Sequence, residues 1–164
     1  MAAGFDDDLP PAPTPTTTDC KDTEIFDEEA QSCIPAQDSR LDDDQRYMAV
    51  RELAYMGDDD PGHYVRAAAI LGLMEDSARV QTYHGFIARK QGDTPMAMIH
   101  YQRALALDPD NILARSYMGQ AFLADGDRQS AEQQLTQIRA LGGSNSWAEH
   151  SLLTALAGGA FFSY

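Results

Sequence analysis

The sequence predicts an all-α protein built from stacked helix pairs, led by an acidic, proline-rich arm. Three observations point there. Residues 78–111 and 112–145 are two copies of one 34-residue unit. Each copy is punctuated at the same offset by a glycine and an aspartate, Gly92-Asp93 and Gly126-Asp127. Charge is also divided unevenly. Of 26 acidic and 12 basic residues in 164, the first 44 residues hold 13 and 2, so most of the formal net charge of −14 lies ahead of the repeats.

In chain order, residues 1–19 are Pro-, Thr- and Asp-rich (Asp6, Asp7 and Asp8, then Pro10-Pro11-Ala12-Pro13-Thr14-Pro15). Such a stretch buries too little apolar surface to offset its ordering entropy, so a disordered arm is expected. Residues 20–40 hold both cysteines, Cys20 and Cys33, around Ile25-Phe26 and a polar turn at Asp27-Glu28-Glu29. This segment resembles a small hairpin clipped at its ends. A disulfide closing a loop of this size contributes about 3 kcal/mol, in a region poorly able to build a core, and belongs to an oxidising compartment. Reduced thiols in the cytoplasm are the alternative. No C-x-x-C is present, and no further ligands stand at zinc-site spacing.

Residues 41–157 read as the helical domain. Asp42 and Gln45 form a capping-box pair ahead of a helix through Tyr47, Val50 and Leu53, stopped at Gly57. Asp60-Pro61 restarts a helix through Tyr64, Ala67 and Leu71. Ser77 caps a helix from Ala78 to about Gln91. Gly92 follows in the position that favours a left-handed turn, and Pro95 sits in the first turn of the next helix, where its missing N–H costs nothing. The cluster Asp108-Pro109-Asp110-Asn111 ends that helix and caps the next, from Ile112 to Ala124. Asp127 caps another, ending near Leu141 at Gly142-Gly143. Ser144 and Asn145 are expected to cap a last helix with Trp147, Leu152 and Leu156, leaving 158–164 as a tail. At a shift of 34 the copies share Tyr83/Tyr117, Gly85/Gly119, Ala97/Ala131, Ala106/Ala140, Leu107/Leu141 and Asn111/Asn145 besides the turn pairs. A mid-helix glycine costs about 1 kcal/mol relative to alanine. Its repetition therefore signals close packing, expected as Gly85 against Ala97 and Gly119 against Ala131.

These residues resemble the tetratricopeptide repeat (TPR) family. Gly85 fits the first-helix glycine, Ala97 the second-helix alanine, Tyr101 the aromatic, Ala104 the next small position and Pro109 the closing proline. Gln81 and His84 depart from the family's Trp and Leu. The second copy keeps Met118, Gly119, Phe122 and Ala131 and has Gly143 in place of the proline. The resemblance implies a right-handed superhelix of about three helix pairs plus a C-terminal capping helix. It also implies a concave groove lined by each pair's first helix. Carried onto this sequence, the partner-binding groove is Tyr47, Arg51, Tyr55, Arg79, Tyr83, Phe86, Arg89, Lys90, Leu113, Tyr117 and Gln120. Tyr and Arg are favoured interface anchors, and the basic residues among them favour an acidic-aromatic guest. The Lys/Asn pattern with which some TPR modules clamp a terminal carboxylate is missing.

No catalytic constellation is visible. The histidines His63, His84, His100 and His150 are scattered, there is no Gly-rich phosphate loop, and Asp58-Asp59-Asp60 lacks the ligand alternation of a calcium loop. No catalytic residue, metal or cofactor is expected. No Lys/Arg run supports nucleic-acid binding, and no apolar stretch is long enough for a membrane span. The function expected is non-catalytic protein–protein interaction, with a protein or peptide as partner. The alternatives are an accessory subunit or regulator of an enzyme complex, and a structural homo-oligomer formed through Phe161-Phe162-Ser163-Tyr164. Arm and clipped segment together resemble short exported bacterial TPR proteins, implying a periplasmic or otherwise exported protein whose leader has been removed.

Overall fold

The computed structural model describes residues 17–158, which form two compact units, residues 17–76 and 77–158. Of the arm expected over residues 1–19, residues 1–16 lie outside the described residues. Thr17–Asp19 form a 3-10 turn with Thr17 buried, so order begins earlier than composition indicated.

In the first unit, β1 (Glu24–Asp27) pairs antiparallel with β2 (Ser32–Pro35), Ile25 opposite Ile34. Asp27 Oδ1 closes the turn by accepting from the Glu29 N–H at 2.9 Å. Cys20 and Cys33 are joined in a disulfide. The hairpin alone is too small to be stable, and it is held by two helices. α1 (Asp43–Tyr55) starts with the expected capping box between Asp42 and Gln45. α2 (Gly62–Leu71) follows the Asp60-Pro61 turn, where the Gly62 N–H donates to Asp60 Oδ1. Arg66 on α2 donates to the carbonyls of Thr17, Thr18, Asp22 and Glu24. Arg46 on α1 donates to the Ala36 and Asp38 carbonyls, and Glu52 accepts from the Thr17 N–H. Ile25, Ile34, Ala36 and Leu41 are buried beneath these ties. The clipped segment and the first helix pair thus form one body.

The second unit contains α3 (Ala78–Lys90), α4 (Thr94–Leu107), α5 (Ile112–Ala124), α6 (Arg128–Ala140) and α7 (Trp147–Leu156). Ser77, Asp93, Asn111 and Asp127 each cap as the sequence indicated, with a side-chain oxygen accepting from a backbone N–H three residues on. The cap of α7 is Ser146, whose Oγ accepts from the Glu149 N–H, and not Ser144 or Asn145. Asn145 adopts a left-handed φ of 66° in the preceding turn, which carries the chain past the expected cap. α3 packs on α4 and α5 on α6, while α5 also contacts α3 and α7. Ala131, Leu135 and Ile138 of α6 meet Leu152 and Leu156 of α7 in one apolar cluster.

The mid-helix glycines are contact points, with partners other than those expected. A Cβ on Gly85 would lie 2.5 Å from the Tyr101 ring, and one on Gly119 2.8 Å from the Leu152 methyls. Tyr101 of α4 runs across α3 and takes the space assigned to Ala97. At Gly119 the capping helix α7, rather than Ala131, makes the close approach. Tyr101 and Leu152 are fully buried, so neither ring nor methyls can retreat.

Candidate protein-interaction face

The candidate face in the second unit is built on α3 and α5. Helical spacing stacks Tyr83 and Phe86 on α3 beside Tyr117 on α5. The Phe86 and Tyr117 centroids are 5.0 Å apart, and Tyr83 meets Tyr117 edge-on at 6.5 Å. Arg89, one turn after Phe86, lays its guanidinium over both rings, 5.5 Å from the Phe86 centroid and 5.9 Å from that of Tyr117. The negative ring faces attract the cation.

Arg89 is half-buried, and its Nε and Nη2 atoms are fully covered with no hydrogen-bond acceptor. The buried Tyr101 hydroxyl lies close to it without a well-formed hydrogen bond. Burial pushes that phenol up to about 12, with the nearby Arg89 charge acting against the rise. On α5, Ser116 and Gln120 flank Tyr117 and are completely buried. Gln120 Nε2 donates to Ser151 Oγ of α7 at 2.8 Å, yet Gln120 Oε1 and Ser116 Oγ have no partner. Most buried polar atoms in folded proteins are paired. Here a donor group, an acceptor and a hydroxyl on two neighbouring helices are not.

The residues expected to line a groove therefore divide. Tyr83, Phe86, Leu113, Tyr117 and Gln120 are buried, while Arg79, Arg89 and Lys90 keep partial access. In the first unit Tyr47 and Arg51 are buried, with the Arg51 guanidinium 5.9 Å from the Tyr47 ring centre, and Tyr55 is half-exposed. The rings pack against one another because each has an aromatic neighbour one helical turn or one helix away. What they offer outward is the cation they support.

Two features were not anticipated. Tyr101 was assigned to packing alone, and nothing in its spacing placed its hydroxyl near Arg89. His84 and His100 stack at 5.1 Å across α3 and α4, with His100 Nδ1 2.7 Å from Gln81 Oε1, and burial holds His100 below the ordinary imidazole value. Among the described residues no group of three or more His, Cys, Asp or Glu side chains could hold a metal ion. No helix among them is long and apolar enough to cross a membrane.

Paired antiparallel helices in a 34-residue period, with tight glycine contacts between them, define a helical-hairpin repeat protein. The family model described as TPR repeat matches residues 85–126, from the glycine inside α3 to the turn after α5. The match covers about a quarter of the chain, so this stretch is similar to TPR repeats, which suggests a role in contact between proteins. No curated protein and no solved structure matches it.

Proposed function

We propose that this chain is a non-catalytic adaptor that holds an extended, acidic segment of a partner protein against α3 and α5, and that it does so in an oxidising, exported compartment. The observation that carries the reading is Arg89, held over Phe86 and Tyr117 with two covered donors lacking acceptors. Arg89 keeps partial exposure beyond those covered atoms, and a guanidinium fork of this kind favours a partner carboxylate. The half-buried Arg79 and Lys90 lie on the same helix and favour the same sign of charge. The Cys20–Cys33 bridge supports the compartment.

Panning the full chain against a displayed random-peptide library tests this. The expected result is enrichment of peptides carrying Asp or Glu beside an aromatic residue. Their binding is lost in Arg89→Met and kept in Arg103→Met, a change at an exposed position of α4. Enrichment of basic peptides, or binding indifferent to Arg89, would overturn the assignment.

A further inference from the structure

We propose that the outer face of α7 is a self-association surface, on which α7 of a second copy of this chain lies antiparallel and serves as the helix that α7 lacks.

The two repeats show how that face is used elsewhere in the chain. α3, α5 and α7 begin at Ala78, Ile112 and Trp147. Gln81, Arg115 and His150 therefore hold one helical position, and His84, Met118 and Leu153 another, three residues on. In the first pair, Gln81 and His84 both meet His100 of α4. In the second, Arg115 hydrogen-bonds Gln134 of α6, and Met118 is only 8% exposed. α7 packs on α5 and α6, but among the described residues no helix follows it. His150 and Ala157 are accordingly exposed, and Leu153 is 39% exposed. An open groove of about 460 Å³ runs beside them, lined by Leu135, Leu153 and Leu156 and by Arg128 and Arg139 of α6. A helix face covered twice in this chain by an antiparallel neighbour is left open the third time.

Charge and shape select a second copy. The second unit, residues 77–158, holds seven acidic and seven basic residues, so the whole of the formal net charge of −14 lies outside it. His150, Leu153, Thr154 and Ala157 add no fixed charge to the open face. It is therefore a part of an acidic chain that a like chain can approach without repulsion. It also offers no charge by which to choose a partner of different sequence. The face complements itself. In an antiparallel pair the bulky Trp147 of each copy lies toward the small Ala157 of the other, His150 lies toward Thr154, and the two Leu153 side chains meet near the two-fold axis. That orientation repeats α3 against α4 and α5 against α6, so each α7 becomes the second helix of the other's pair. A helix of ten residues is about 15 Å long, and the area it buries falls below the roughly 800 Å² per partner of a standard interface. Association is accordingly weak, with a dissociation constant of order 0.1 mM.

Sedimentation equilibrium of the full chain from about 5 µM to about 1 mM tests this. The expected result is a mean mass that rises from 18.0 kDa toward twice that value. The rise is steeper in high salt, which screens the repulsion between two acidic chains. Leu153→Glu, at a position exposed enough to leave the circular dichroism unchanged, should weaken association by about tenfold or more, because two like charges then meet at the axis. Mixing Leu153→Glu with Leu153→Lys should restore it. Ile99→Glu, at a more exposed apolar position on α4, should change nothing. A monomer at every concentration overturns the proposal, as does association that survives Leu153→Glu or is lost in Ile99→Glu. Failure of the mixed variants to associate overturns the two-fold arrangement. A chain that stays monomeric but binds a peptide of residues 93–109, the segment that carries α4, overturns the second copy as occupant and gives the face to a helix of another protein. Peptide binding through Arg89 is read separately in Leu153→Glu, so the adaptor reading stands or falls apart from this one.

Discussion

Replacing Arg89 by Met is expected to leave the protein at least as stable as before while abolishing the peptide binding proposed above. The guanidinium lies over two rings, at 5.5 and 5.9 Å, and each such contact at a partly exposed site contributes about 0.5–1 kcal/mol. Against this, Nε and Nη2 are covered without acceptors, and each buried unsatisfied donor costs about 1–3 kcal/mol. Methionine keeps the aliphatic stem and a polarisable tip against Phe86 and Tyr117, so little packing is lost. The lost attraction, about 1–2 kcal/mol in all, is smaller than the relieved desolvation, and a gain of about 1 kcal/mol follows. For a chain of this size that is roughly 3 °C in the melting midpoint. Urea unfolding followed by circular dichroism at several temperatures measures it. Arg89→Lys is the companion variant, since lysine keeps the charge but not the fork. A loss of more than about 1 kcal/mol in Arg89→Met would refute the reasoning, because it would mean that the guanidinium is satisfied inside the fold and not held for a guest.

The remaining expectations concern the fold that presents this face. Gly85→Ala gains about 1 kcal/mol of helix propensity but drives a Cβ to 2.5 Å from the fixed Tyr101 ring, which costs about 1–3 kcal/mol. Net destabilisation is expected, with less than additive loss in the double variant with Tyr101→Leu, as urea midpoints would show. Reducing the Cys20–Cys33 bridge removes about 3 kcal/mol from residues 17–76. Hydrogen exchange should accelerate in the hairpin while α3–α7 stay protected. Arg66→Met removes the side-chain donor to the Asp22 carbonyl and leaves the Thr17 carbonyl only the Cys20 N–H, and should loosen the same hairpin with the disulfide intact, read as faster proteolysis near Asp22. Hydrogen bonds from the Arg139 side chain and the Asn145 N–H hold the Glu149 carboxyl below its ordinary value of 4.5. A depressed folded-state pKa stabilises fully above the unfolded value and loses that contribution as pH falls through the folded one. Stability should thus decline on acidification below 4.5, more shallowly in Glu149→Gln, as urea midpoints across the acid range would record.

Most helix boundaries were legible because the punctuation is local. An Asp, Asn or Ser cap, or a glycine after a helix, acts on the nearest turn, and Ser77, Asp93, Asn111 and Asp127 cap where the spacing put them. Ser146 was missed because Asn145 enters the left-handed region first, a choice that two adjacent cap-forming residues leave open. Contacts between helices were harder to read. Gly85 and Gly119 occupy equivalent places in the two copies, yet one meets Tyr101 and the other Leu152, because the second copy has α7 against it.

That same contrast separates packing from recognition within the repeat. A position whose surroundings recur in both copies is free to keep one residue. Tyr83 and Tyr117 are identical and both buried in the aromatic cluster. Positions that face outward, or toward something present only once, are not bound in this way. One repeat on from Arg79 stands Leu113, from Arg89 Leu123, and from Lys90 Ala124. If Arg89 were a structural cation required by the hairpin itself, the second copy would need its equivalent. It has a leucine there, and Leu135 stands where Tyr101 lies beside Arg89, so the cation and the neighbouring hydroxyl are replaced together. The cation thus belongs to the surroundings of the first copy, the Phe86 and Tyr117 rings and the nearby Tyr101 hydroxyl, and not to the hairpin as such.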